Sequence, residues 1–546
     1  MAFCIVAAGF GASVLVSFWR LYYGISLSDE SFYVALQYRL AMGDRLFVDE
    51  LNTLQLFAAL TYPVVKAYVG ILGTGGLVLF LRACFFCFVL AQSSLVFHLF
   101  KKRVGLASAL ALAALPIGFV PYCIPSLSYN TLGVGFCMAG SLLLFQSLGR
   151  EPGPLRTSSR SSAVSAGLCH GLCVVAFPTL ACVVLLSWFI LMCRRKSRSI
   201  LGAYTTGGAL VAVPLLLLFP WQAFQNAMAF TAGRFSTLSG WSGAKLYALV
   251  RDFYYWGPSK PWIAGITILS LASRKKRFAA LTCALIPLSV WVGTHITEGT
   301  LQMALYLLCL APFAFCFVAD TPQARTLLLL VWLPSLVGAL ATGFTSTNAT
   351  RASGLGAFAG ALCCVLFLME GIQKRVGLKA LGALPAVFCA GFFFAHTWKV
   401  IYRDAPIQEL TAAVSMGPFD RIYTTPKRKE FIESLQSDLR QVENEEGRVV
   451  FFDALPAGYL MTRMRPAAPT VWNCIQFSVG TDKHRCLDFY RSHLSPNNVA
   501  VQLIGVTEDV ALLDFVQRYH TLWREHVDYR IFTGTANRQK LAERKG

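Results

Sequence analysis

Apolar runs long enough to cross a bilayer, about 20 residues, recur from residue 3 to about residue 398, and short polar stretches separate them. They predict helices at about 3–23, 75–99, 104–122, 131–148 and 200–220. The stretch 163–193 lies between two basic segments and is interrupted at Phe177-Pro178, so it reads as two short helices rather than one crossing. Six more follow: from Pro261 to Arg274, out to His295, back to Asp320–Arg325, out to Thr342–Arg351, back to Lys374-Arg375, and last over about 380–398. From about Lys399 the pattern changes. Arg448–Asp453 and Asn498–Val506 read as buried strands, Arg530–Phe532 as a closing strand, and Lys427–Glu443 as an amphipathic helix. Thr507–Tyr529 also reads as a helix, with Leu512, Phe515, Tyr519 and Leu522 at helical spacing. The expected fold is mainly α: a polytopic transmembrane helical bundle of about 13 helices over residues 1–398, and a C-terminal extracytoplasmic α/β domain over 399–546.

Composition agrees with a membrane protein: 55% of the 546 residues are hydrophobic and 14% charged. The formal net charge of +20 could suggest a nucleic-acid partner. Its distribution argues otherwise. The basic residues occur as short clusters between apolar runs, at Lys101-Lys102-Arg103, Arg194-Arg195-Lys196, Arg274-Lys275-Lys276-Arg277 and Lys374-Arg375, as the positive-inside rule requires of cytoplasmic loops. Counting helices from a cytoplasmic N-terminus then puts the long polar loops, about 25–60 and about 221–260, and the C-terminal domain on the outer side. Most of the 17 cysteines lie within apolar runs and behave as small hydrophobes. Cys84/Cys87 and Cys169/Cys173 have metal-like spacing but no second ligand pair. In the C-terminal domain Cys474 and Cys486 are either a disulfide or two unpaired thiols. Asn348-Ala349-Thr350 matches a glycosylation sequon.

The stretch from Ser28 to Leu60 carries two acidic pairs, Asp29-Glu30 and Asp49-Glu50. Carboxylates are costly near hydrocarbon and are seldom kept there without a task. Asp29 stands where a helix would begin, so a capping role and a chemical role are both open to it. Arg39, Arg234, Lys245 and Arg251 are cations within the two long loops, suited either to phosphate or to lipid headgroups. Tyr33 and Tyr129 are interfacial aromatics with a hydroxyl to donate.

The pattern Asp29-Glu30-Ser31-Phe32-Tyr33, followed by Arg39, Gly43-Asp44 and an apolar start near Leu56, resembles the GT-C glycosyltransferases. In particular it resembles the lipid A aminoarabinose transferase and protein O-mannosyltransferase types, and Arg234-Phe235 and the 163–193 helix pair are similar to theirs. The resemblance implies an inverting transfer of sugar from a polyprenyl-phosphate donor to an extracytoplasmic acceptor (cell-envelope glycan, lipid or protein), at the bacterial cytoplasmic (inner) membrane. It implies Asp29 as general base, with Glu30 beside it. Arg234, Arg39, Tyr33, Lys245 and Arg251 would meet the donor phosphate. Tyr129, Asn130, Asp49, Glu50, Gln55, His295 and Glu298 would meet substrate. The chain departs from these relatives at Leu54-Gln55-Leu56, where they carry a Lys-Pro stretch, and at Ser128-Tyr129-Asn130, where the aminoarabinose transferase has an acidic residue. Asp252 and Glu298 are nearly all the carboxylates the other outer loops supply, so no metal cofactor is expected. The alternatives are a flippase for a lipid-linked glycan, which calls for ionisable residues along the helices, and a non-catalytic envelope scaffold.

Overall fold

The structure is a computed structural model and describes residues 2–148, 156–194, 197–218, 220–229, 247, 251, 299–310, 321–346, 348–376, 381–452, 454–472, 485–505 and 510–534. In chain order its first helices are α1 (Ala2–Arg20), α2 (Asp29–Ala41), α3 (Leu56–Leu72), α4 (Leu77–Val104), α5 (Leu106–Gly118), α6 (Tyr129–Leu148), α7 (Arg156–Ala176), α8 (Ala181–Cys193) and α9 (Arg198–Leu218). Thr300–Leu310, Pro322–Thr345, Thr350–Val376 and Leu384–Lys399 follow. Among the described residues seven helices are long and apolar enough to cross a membrane. The break at Pro178 appears as expected, a 3-10 turn over Pro178–Leu180 between α7 and α8. The expected helices from Pro261 to Arg274 and on to His295 lie outside the described residues.

The chain divides into two compact units. The first comprises residues 1–21, 83–218 and 242–401, the second 22–82, 219–241 and 402–546. In the first, the helix Thr350–Val376 is the core, with its most apolar 18 residues wholly buried. α1 is the opposite case. Only 6% of its apolar window is buried, leaving Phe3, Ile5, Leu15 and Phe18 exposed, as suits a helix facing hydrocarbon. Small residues let the backbones approach: a Cβ on Gly356 would lie 2.1 Å from the carbonyl carbon of Gly338, and one on Gly207 would lie 2.0 Å from the carbonyl oxygen of Val164. His170 on α7 joins the Tyr204 hydroxyl at 2.6 Å and Ser141 Oγ at 3.3 Å, tying α6, α7 and α9 together.

The second unit joins the first polar loop to the C-terminal segment, a partition that composition does not suggest, since composition changes only near residue 399. Its sheet has the strands β3 (Arg448–Phe451), β4 (Arg465–Pro466), β5 (Val499–Leu503), β6 (Thr521–Glu525) and β7 (Tyr529–Thr533), in the order β4-β3-β5-β7-β6. β3 is parallel to β4 and β5; β7 is antiparallel to β5 and β6. A small hairpin, β1 (Ala412–Ala413) with β2 (Tyr423–Thr424), precedes the helix Pro426–Val442.

Two expectations need correction. Thr507–Tyr529 is not one helix: Val510–Tyr519 is helical and Thr521–Glu525 is strand β6, paired with β7. Leu512 is buried as the helical spacing requires, but Leu522 sits on the strand and is exposed. The cause is the β-prone run Thr521-Leu522-Trp523, which pairs with β7 once the chain reverses at His526–Asp528. The second concerns α3, which the count of 13 helices passes over. It holds Pro63, Lys66 and two tyrosines, which dilute its apolar pattern, yet it is among the seven.

Candidate active site

The site is built where α2 begins. Ten successive residues of α2, Glu30 to Arg39, are buried, so this helix is enclosed on all sides and has no solvent face. Its surroundings come from both parts of the second unit. Tyr33 meets Phe57 of α3 edge-on, Phe32 meets Trp472, and the backbone N–H of Ala457 donates to the carbonyl of Leu27 at 3.2 Å.

Asp29 is the first residue of α2, and no side chain caps the helix start. Its Oδ2 accepts from the Tyr402 hydroxyl at 2.7 Å and pairs with Arg403 Nη1 at 3.0 Å. The Ser28 hydroxyl accepts from the same Nη1 at 2.6 Å. The Asp29 side chain keeps 21% of its surface, so the carboxylate is oriented by the protein and still open to a ligand.

The other acidic residues of the loop are occupied differently. Glu30 is buried and bidentate with Arg82, at 2.7 and 2.6 Å, and Arg82 Nη2 also donates to the Gly24 carbonyl at 2.6 Å. Both Glu30 oxygens thus face a cation of the protein. Arg82 was missed at the sequence level, although a lone arginine inside the apolar run Leu77–Leu90 is a signal for a specific partner. Arg39 is also buried: Nε and Nη2 hold Asp44 at 2.8 and 3.1 Å, and Nη1 donates to the Met464 carbonyl at 2.9 Å. Its nitrogens are committed to protein partners.

Asp49 is bound by Arg45 through the backbone N–H and the guanidinium, so it pins a turn at the surface. Glu50 is buried, its oxygens accepting from the backbone N–H groups of Asn52 and Val471 at 3.2 and 2.9 Å. Burial lifts its carboxyl to about 7, against hydrogen bonds from Thr470, Val471 and Asn52 that pull it down. The folded protein therefore holds this proton more tightly than the unfolded chain, whose carboxyl titrates near 4.5. Stability contributed by the protonated group is complete below that value and falls as pH rises to about 7. We expect the melting temperature of the wild type, measured against that of Glu50→Gln, to decline over this window. A constant difference between the two would contradict the assignment.

Gln55, expected to meet substrate, is buried and closes the loop on itself. Its amide donates to the carbonyls of Glu50 and Asn52 and accepts from the Phe47 N–H. Tyr129 packs edge-on to Phe177, and Asn130 is buried; both belong to the first unit. Arg251 is exposed. Arg234, Lys245, His295, Glu298 and Asp252 lie outside the described residues, as does Cys474, whereas Cys486 is buried in the C-terminal core. Among the described residues no group of three or more His, Cys, Asp or Glu could hold a metal ion.

Tyr402 and Arg403, like Arg82, are residues that sequence reasoning missed. The backbone fixes them: the Asp404 carboxylate accepts from the N–H of Ile25 at 2.7 Å and from Thr424 Oγ1 at 2.8 Å, and pairs with Arg428 at 3.0 Å. Arg428 in turn donates to the carbonyls of Ile25 and Arg403 at 2.8 and 2.7 Å. This clasp holds residues 402–404 against the segment leading into α2.

No protein-family model and no curated protein matches the chain. Among solved structures the chain is similar to the Archaeoglobus fulgidus oligosaccharyltransferase in complex with Zn and sulfate. That match has a TM-score of 0.50 at 12% identity, over 91% of this chain and 68% of that one. The chain is also similar to ArnT from Cupriavidus metallidurans bound to undecaprenyl phosphate, with a TM-score of 0.48 at 12% identity over 98% of each chain. At 12% identity the likeness to the oligosaccharyltransferase is one of fold alone.

Proposed function

On a chain with the fold of the GT-C membrane glycosyltransferases, we propose a sugar transferase that takes its sugar from a polyprenyl-phosphate donor and gives it to a hydroxyl-bearing acceptor outside the cytoplasm. The observation that carries this reading is Asp29: a partly open carboxylate, aimed by Tyr402 and Arg403, at the start of an otherwise enclosed helix. In the reaction Asp29 takes the proton of the acceptor hydroxyl as that oxygen bonds to the anomeric carbon. The bond from that carbon to the donor phosphate breaks with its electron pair, polyprenyl phosphate leaves, and the anomeric configuration inverts.

Glu30 acts here as a positioning residue, since its ion pair with Arg82 fixes the chain next to the base. Cations stabilise the departing phosphate. Arg234 and Lys245 of the second long loop are proposed for that role, because Arg39 and Arg82 are held by carboxylates. The oligosaccharyltransferase structure is in complex with Zn, but the acidic residues of this chain do not gather into a cation site among the described residues. The setting proposed is the bacterial inner membrane, with the N-terminus inside and the C-terminal domain outside.

The test is mass spectrometry of envelope glycans, lipids and proteins from cells with and without the gene. A sugar missing from one acceptor class in the deletion, and restored by the wild-type gene, is expected. Identical profiles would contradict the reading.

A further inference from the structure

Arg403 is set apart from the other arginines around α2. Arg39 and Arg82 are buried, each with a carboxylate held by two nitrogens and a backbone carbonyl held besides. Arg428 is three-quarters buried, on Asp404 and two carbonyls. The Arg403 side chain is 50% exposed, and its Nη1 makes the contacts to Asp29 and Ser28. Its guanidinium also lies 5.2 Å from the centre of the Tyr402 ring, which steadies its plane.

The backbone adds an independent observation. Arg403 has φ +52°, a left-handed conformation in which an arginine is uncommon. The strain is held in place from both sides: its own carbonyl accepts from Arg428, and the next residue, Asp404, is fixed by three partners. Glycine would adopt this conformation without strain. Strain retained where a relaxed residue is available points to a task for the side chain. The side chain reaches the carboxylate proposed as the base.

We infer that Arg403 is a counter-ion that changes partners. With no donor bound it holds Asp29; when the donor's phosphate arrives, the half-exposed guanidinium turns to it, and Asp29 is released to take the acceptor proton. The base then comes free only when a donor is seated. This inference rests on the reading of the chain as a polyprenyl-phosphate-dependent transferase. A planar, permanently charged fork suits the exchange, since it binds carboxylate and phosphate alike.

The test uses the full-length protein in detergent and measures binding of undecaprenyl phosphate, with undecaprenol and phosphatidylglycerol as controls for the chain and for a generic anionic lipid. Arg403→Gly is expected to melt no lower than the wild type, because the strain is relieved, yet to bind undecaprenyl phosphate about tenfold more weakly. Asp29→Asn is expected to bind it more tightly than the wild type, since the competing carboxylate is gone, and this gain should vanish in the double variant. Arg403→Lys should recover part of the binding. A purely structural Arg403 would move stability and leave these affinities alone. Undecaprenyl phosphate bound equally by wild type, Arg403→Gly and Asp29→Asn would overturn the partner exchange while leaving the transferase reading intact. Wild-type protein that does not prefer undecaprenyl phosphate over both controls would overturn the reading on which it rests.

Discussion

Asp29→Asn is expected to lower sugar transfer by a factor of about 10² to 10⁴, the usual contribution of a positioned general base. The substitution is close to isosteric, and the amide oxygen can still accept from the Tyr402 hydroxyl, which donates at 2.7 Å in the native protein. What is lost is the capacity to take a proton, together with an ion pair whose arginine is half exposed and which contributes little to stability. Membrane insertion, yield and melting temperature should therefore stay near wild type while transfer fails. Transfer rates of the variant and the wild type, compared in the same membranes, provide the check. Wild-type rates in the variant would remove Asp29 from the reaction.

Arg82→Ala is expected to be the most destabilising of the substitutions considered. Arg82 is almost fully buried and holds both oxygens of Glu30 and the Gly24 carbonyl. Removing it leaves a carboxylate in a water-excluded site, which costs about 3–5 kcal/mol. Glu30→Ala should cost a similar amount, leaving the guanidinium stranded instead. The paired replacement Arg82→Met with Glu30→Leu should regain much of the loss, because two apolar side chains remove both charges at once. Thermal unfolding of the three variants in one detergent measures this. If either single variant melted with the wild type, the ion pair would not be what fixes the loop ahead of the base.

The sequence and the structure agree most closely where one physical signal dominates. Long apolar runs located most of the membrane helices to within a few residues, because hydrocarbon tolerates little else, and Pro178 marked the division between α7 and α8. α3 was hidden because Pro63 and Lys66 fall inside it. β6 was hidden because Leu522 continues the 3–4 spacing of the helix before it, and only pairing with β7 decides the matter.

The acidic pair Asp29-Glu30 was legible as a candidate site. The different duties of its two members were not. They depend on Arg82, 52 positions along the chain, and on Tyr402 and Arg403, more than 370 positions away. Asp49 and Glu50 look alike in the sequence, yet one pins an exposed turn and the other is a buried carboxyl accepting from Val471. Arg403 leaves no pattern that a sequence reader could find, since its placement follows from one backbone angle and a clasp of Asp404 and Arg428.

The central claim, sugar transfer from a polyprenyl-phosphate donor, is tested most directly by the fate of that donor. The purified protein would be placed in lipid bilayers with polyprenyl-phosphate sugars extracted from the source membranes and with the envelope acceptor fraction. Lipid mass spectrometry would then follow the donors over time. The account expects one donor species to disappear, with polyprenyl monophosphate formed in equal amount and the acceptor gaining the sugar's mass, and none of this with Asp29→Asn. A donor pool that stays intact in the presence of wild-type protein and acceptor would contradict it.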